Sequence, residues 1–431
     1  MRSRLLCIGA FVLTSLVLPS TAKAQDEPGL RTRIGAELFT FGDCGQPLCL
    51  DLDNVHGNHF IPALAEGNDA VIAFLTAAIG NATLSVPLSA TSSGATFSFV
   101  GGLPVRTSTS AGPIFGERTQ TLGRGRFFFG ASVTGVEFTA LNGAPLDGIS
   151  LNFKHEDGDP LVLGDPEFEN DVMALELQMN VNVVVGTFAL TAGLTDFIDV
   201  GVAIPIVRTQ VSGRSDAQIL PFGDAPIHRF GGDASDPVLR ASATMEGSAA
   251  GIGDVAARAK INLGQNATMG AALLTEIRFG TGDEENLLGT GATQVRAMGL
   301  YSAQLGTFSP HLNFGYAART GEEQRDAVVV QAAFDNLMTE WATLAVGFES
   351  EIHVGENPFE LPGPIVFEDP FERRVPATNI PNRDGDLLRA SLGAKFTVRG
   401  STVLVVNGIF PLRDVGLQPD VIWSIGLDFP F

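Results

Sequence analysis

Hydrophobic and polar residues alternate with a period of two along most of this chain, most cleanly between Met173 and Val185. Met173, Leu175, Leu177, Met179, Val181, Val183 and Val185 share one side of an extended chain, and Glu176, Gln178, Asn180 and Asn182 share the other. That is the geometry of a β-strand with unlike faces. The same division sets Val255, Ala257, Ala259, Ile261 and Leu263 against Arg258, Lys260 and Asn262. It recurs with Leu388, Ala390, Leu392, Phe396 and Val398 against Arg389, Ser391, Lys395 and Thr397. In the final stretch Val421, Trp423, Ile425, Leu427, Phe429 and Phe431 oppose Ser424, Gly426 and Asp428. Strands are predicted over 126–139, 172–188, 197–209, 253–264, 268–279, 293–305, 308–319, 326–334, 341–353, 386–398, 401–410 and 420–431.

The intervals between these strands alternate in length. Brief turns fall near Asp196, at Gly264-Gln-Asn-Ala, at Gly306-Thr307, near Asn336 and at Arg399-Gly400. Between them lie long segments before Val172 and before Gly253, and the loops 280–292, 320–325, 354–385 and 411–419. Short turns at one end and longer loops at the other are the habit of membrane-spanning barrels. The rhythm predicts an all-β fold, an antiparallel transmembrane β-barrel of 12 strands over residues 124–431, or 14 if an amino-terminal hairpin joins the wall. Residues 25–123 are predicted to be an extension or plug packed in or below a pore, with Ala63 to Ile79 as a candidate helix or plug segment. The long loops, such as Lys154-His-Glu-Asp-Gly-Asp-Pro160, are acidic and proline-rich, as solvated loops are.

Export is expected from the other end of the chain. Arg2 and Arg4, the apolar run Leu5 to Leu18 and the small-residue site Ala22-Lys-Ala24 have the anatomy of a signal peptide over 1–24, cleaved after Ala24. Beyond it no apolar run approaches the roughly 18 residues of a membrane helix. An exported chain of this kind is a soluble β-protein or a closed barrel, the one alternative to helices in hydrocarbon. With 50 glycines and 30 phenylalanines beside 48 acidic residues, the composition suits apolar strands joined by polar loops. A formal net charge of −21 argues against nucleic acid as a partner, because phosphates would be repelled. Ser424, Gly426, Phe429 and Phe431 resemble the closing signal of Gram-negative outer-membrane barrels. That resemblance implies the outer membrane as the location, with its lipid and the barrel-assembly machinery as partners.

Candidate chemistry is sparse. If the alternation holds, Glu176, Arg258, Lys260, Glu276, Arg278, Arg296, His311, Arg319, Glu349, Glu351, Arg389 and Lys395 point into the lumen. There they pair and fill it, or line an aqueous path and set its selectivity. Cys44 and Cys49 are candidates for a disulfide in an oxidising compartment. With His56 and His59 they form a weaker candidate metal site, since oxidation competes for the thiolates. Neither a Gly-x-Ser-x-Gly elbow nor a phosphate loop occurs. The six histidines are scattered, and only His311 is predicted inward on a strand. A barrel hydrolase would need a serine or acid beside it. The expectation is a protein that is not an enzyme and needs no cofactor.

Three glycine-rich blocks carry a family resemblance. They are Gly193-Leu-Thr-Asp-Phe-Ile-Asp-Val-Gly-Val-Ala-Ile-Pro205, Gly251-Ile-Gly-Asp-Val-Ala-Ala-Arg-Ala-Lys260, and Arg278-Phe-Gly-Thr-Gly-Asp283 with Gly289-Thr-Gly291. In this order they resemble the outer-membrane family labelled with the MetA pathway of phenol degradation, related in architecture to fatty-acid and aromatic-hydrocarbon import barrels. Gly280 departs from the proline usual before Thr-Gly in that family. The resemblance covers roughly 124–431 and implies a barrel that passes small hydrophobic or aromatic solutes. A structural or surface-interaction barrel with a closed lumen is the alternative. Asp196, Asp199 and Asp254 read first as turn and strand-start residues rather than substrate contacts.

Overall fold

The computed structural model describes residues 28–41, 47–48, 50, 78, 97–100, 103–106, 116–154, 170–223, 228–233, 235–266, 268–357, 361–368, 370–383, 385–399 and 402–431. The expected signal peptide, Cys44, Cys49, His56, His59 and residues 63–77 lie outside the described residues.

Among the described residues a short helix, α1 (Leu30–Glu37), precedes the strands. They are β1 (Phe97–Val100), β2 (Leu103–Arg106), β3 (Phe127–Leu141), β4 (Ala144–Pro145), β5 (Ile149–Lys154), β6 (Val172–Gly193) and β7 (Ile198–Leu220). Next come β8 (Gly231–Asp233), β9 (Asp236–Val238), β10 (Arg240–Ile252), β11 (Ala256–Gln265), β12 (Met269–Arg278), β13 (Gln294–Ala303) and β14 (Phe308–Arg319). The last are β15 (Asp326–Thr339), β16 (Ala342–Val354), β17 (Ile365–Phe367), β18 (Arg373–Val375), β19 (Leu387–Arg399), β20 (Thr402–Pro411) and β21 (Leu417–Pro430).

Twelve of these close a cylinder in the order β3-β6-β7-β11-β12-β13-β14-β15-β16-β19-β20-β21 and back to β3, every pair antiparallel. They are the 12 predicted strands, and the hairpin β1–β2 forms its own sheet instead of adding two more to the wall. At the seam Phe127 N donates to Phe431 O at 2.8 Å and Phe431 N donates to Phe127 O at 2.9 Å. Closure removes the unpaired edges an open sheet would expose.

The faces of three adjoining wall strands, β3, β6 and β7, invert part-way up. On β7 the outward residues Val200, Val202, Ile204 and Ile206 are apolar, while Arg208, Gln210, Ser212 and Arg214 above them are polar. Inward, Asp199 and Gly201 give way to Val207, Val211 and Ile219. Strand β6 does the same, with Phe188 and Leu190 outward below Asn182, Asn180, Gln178 and Glu176. Strand β3 follows, Val133 below Glu137 outward, and Thr134 below Val136 and Phe138 inward. Registers place the switches side by side, Glu137 opposite Asn182 and Asn182 opposite Gln210. From Ile198 to Ile206 the belt climbs roughly 20 Å at about 3.3 Å per residue on a tilted strand.

Above that level the cylinder opens into a four-stranded sheet, β5-β6-β7-β10. Strand β5 replaces β3 beside the upper part of β6, and β10 replaces β11 beside the upper part of β7. The inner face of this sheet packs on Leu30, Ile34, Leu38, Phe39, Leu48 and Leu50. The long alternation of 173–185 therefore does not mark a lumen wall with a lipid-facing apolar side. Its apolar side faces a packed core, and Glu176, predicted to face the lumen, is exposed on the outer surface.

Candidate functional site

Below the inversion the lumen is crossed by the chain just before β3. Glu117, Arg118 and Thr119 are buried, and their partners lie on the inner faces of β11, β13 and β15. The Glu117 carboxylate accepts from Arg258 Nη1 at 2.7 Å and stands 3.5 Å from Lys260 Nζ. Arg118 Nη2 donates to Asp335 Oδ2 at 3.1 Å, and its carbonyl accepts from Lys260 Nζ at 3.3 Å. Thr119 N donates to Ser302 Oγ at 3.2 Å and Thr119 O accepts from Asn262 Nδ2 at 2.8 Å. Gly116 lies against Asn313 and Ala333, so the segment touches consecutive wall strands from within.

Around it the wall charges pair with each other. Arg319 Nη2 donates to Glu351 Oε2 at 2.6 Å, and Arg296 Nη2 lies 3.7 Å from the same carboxylate. Arg389 stands 3.5 Å from Glu349, which also accepts from Gln331 Nε2 at 2.5 Å. Lys395 and Asp428 are both buried in the same interior. Unpaired, such desolvated charges would each cost several kcal/mol.

Sequence reading set a serine or acid beside His311 as the requirement for hydrolysis, and both are present. His311 Nδ1 is 2.9 Å from Ser302 Oγ, and His311 Nε2 is 2.7 Å from Asp335 Oδ1. The two ends of this chain of side chains hold consecutive residues of the crossing segment, Thr119 at Ser302 and Arg118 at Asp335. These side chains tie the segment to β13, β14 and β15.

The three glycine-rich blocks hold backbone. Asp199 accepts Leu122 N at 2.9 Å and Asp196 accepts Arg124 N at 3.2 Å, fixing the crossing segment as it leaves the barrel at its short-turn end. Where β10 gives way to β11, Asp254 accepts from Gly282 N at 2.9 Å, Thr290 N at 3.1 Å and Thr290 Oγ1 at 3.0 Å. A Cβ on Gly289 would come 2.3 Å from Asp254 Oδ1, so the close approach requires glycine there. The Gly280 to Gly291 loop is thereby tied to the wall break at Gly253.

Helix α1 bridges the other side of that break. Arg33 Nη2 donates to Glu246 O on β10 at 2.9 Å, and Arg31 pairs with Glu284 and Glu323 on the facing loops. At the top, Arg373 lies 4.4 Å from the Phe367 ring centroid and 5.0 Å from that of Phe222, and donates to Asn170 O at 2.5 Å.

Of the predicted lumen residues, Arg278, His311, Glu349, Glu351, Arg389 and Lys395 are buried on the inward face. Arg258, Lys260, Glu276, Arg296 and Arg319 share that face half-buried, and Glu176 alone lies outside. Sequence reading missed Glu117, Arg118, Ser302 and Asp335. Asp335 falls just past the predicted end of its strand, which runs on to Thr339. Nothing in the local pattern marks Glu117 or Arg118.

No family model matches the chain, and no curated protein does. The resemblance of the glycine-rich blocks is therefore carried by those residues alone. Among solved structures, the chain is similar to the COG4313 outer membrane channel from Pseudomonas putida F1, at 14% identity and a TM-score of 0.43, over 73% of this chain and 98% of that one. A Pseudomonas aeruginosa FadL homologue is similar at 12% identity and a TM-score of 0.30, over 71% and 88%. The TodX deltaS2S3 mutant monoaromatic hydrocarbon channel is similar at 9% identity and a TM-score of 0.30, over 71% and 88%. Similarity at this level carries no argument about function.

Proposed function

We propose that this chain is a channel of the Gram-negative outer membrane that passes small hydrophobic or aromatic molecules by diffusion, with its lumen closed by residues 116–122. The observation that carries the membrane part is the inversion of both faces at one level of three adjoining wall strands, β3, β6 and β7. An apolar exterior around a polar interior suits lipid outside, and the reverse above it suits water outside. Passage is supported by the way the crossing segment is held: by side chains and single hydrogen bonds, outside any ladder, so that it can leave without breaking the wall. On this reading no reaction is catalysed.

A second reading has its own support. Paired charges that fill the lumen suit a barrel that stays shut and serves as a structural or surface-interaction element. The two part in vesicles containing the purified, folded protein. Uptake of a monoaromatic hydrocarbon faster than into empty vesicles is expected of the channel; uptake equal to that of empty vesicles would leave the closed barrel.

A further inference from the structure

We infer that Arg258 and Lys260 form a binding site for small organic carboxylates, which Glu117 occupies in this structure as a tethered surrogate. The inference rests on the channel reading and adds, to the hydrophobic and aromatic solutes proposed there, a subsite for those that carry a carboxylate.

The site is built from the wall. Arg258 and Lys260 are two apart on β11 and so share its inner face. Their side chains are 15% and 11% exposed, and both converge on one carboxylate that is itself 11% exposed. Gly201 makes the room, since a Cβ there would lie 3.2 Å from Arg258 Nε. Thr191 Oγ1 accepts a further bond from Arg258 Nη2 at 3.4 Å.

Two wall carboxylates stand opposite the pair in register. Asp199, opposite Lys260 in register, accepts both of its bonds from Leu122 N. Glu276, opposite Arg258, also faces Arg296 in register on β13. The carboxylate that Arg258 bonds comes from the crossing segment, not from the wall. A segment that moves aside would take that carboxylate from Arg258 and Lys260 and release Asp199, opposite Lys260, from Leu122, so that the largely buried Arg258 would favour the entry of another anion. A planar guanidinium beside an ammonium suits a carboxylate better than a neutral group of equal size.

A tethered competitor depresses the affinity of a free one, because its effective concentration is on the order of millimolar. The test is calorimetric titration of the folded, detergent-solubilised full chain with benzoate, and with phenol as an uncharged match. Glu117→Ala vacates the site and is expected to bind benzoate at least about tenfold more tightly than the unsubstituted chain. Arg258→Gln added to Glu117→Ala is expected to abolish that gain, and Lys260→Gln to weaken it, each in protein whose heat-modifiable gel migration shows a closed barrel. Phenol is expected to bind all forms alike. Equal benzoate affinity with and without Glu117, or a phenol gain matching that of benzoate, would overturn the site. Failure of the channel reading is seen separately, as absent solute flux into vesicles with benzoate binding intact.

Discussion

Phe188 and Gln178 lie on the same outward face of β6, ten residues apart, yet their replacement by arginine is expected to differ several-fold in cost. Phe188 is 45% exposed and sits midway along the apolar run from Val184 to Ala192. Four residues at about 3.3 Å each, on a strand tilted about 40°, place it roughly 10 Å inside the boundary. An arginine near the midplane of a barrel's lipid face costs about 2–4 kcal/mol, and one near the interface about 0–1. Gln178 stands above the switch at Asn182, so Gln178→Arg is expected to change stability by no more than about 0.5 kcal/mol, like other surface substitutions. Equilibrium unfolding by denaturant in phosphatidylcholine vesicles, followed by tryptophan fluorescence, reads both. Equal costs for Phe188→Arg and Gln178→Arg would refute the inversion as a membrane boundary. A large cost at Gln178 alone would put the lipid around the upper sheet instead.

Other perturbations follow from single contacts. Asp254→Ala removes three hydrogen bonds that fix the 280–291 loop, and is expected to cost about 3 kcal/mol and to speed proteolysis within that loop. Gly135→Val drives a Cβ to 2.2 Å from the Trp423 ring; about 1–3 kcal/mol of destabilisation and a shifted Trp423 emission are expected. Arg373→Lys keeps the charge but loses the planar stack on Phe222 and Phe367, which should lower stability by about 1–2 kcal/mol in thermal melts.

The wall was legible because a strand between unlike surroundings must alternate, and short turns must separate paired neighbours. Strands such as β14, Phe308–Arg319, coincide with the predicted 308–319. Alternation alone does not say which surroundings lie on which side, and Glu176 shows the consequence. Leu175 and Leu177 look the same in sequence whether they face lipid or a core, so the upper sheet was read inside out. Strand β10 escaped notice because, apart from Met245, its inward positions such as Ala241, Ala243, Gly247 and Ala249 are small, and small residues blur the contrast. The crossing segment was hidden for a different reason. Glu117 and Arg118 take their meaning from Arg258 and Asp335, more than a hundred residues away, and no local period records such pairs.

On the channel reading, residues 116–122 stop a lumen that otherwise conducts. Single-channel recording in planar bilayers tests it by comparing the unsubstituted chain with Arg118→Ala, which takes the segment's cation from the fully buried Asp335. Rare, brief openings are expected of the former and sustained conductance of the latter; a folded Arg118→Ala barrel as silent as its parent would contradict the account.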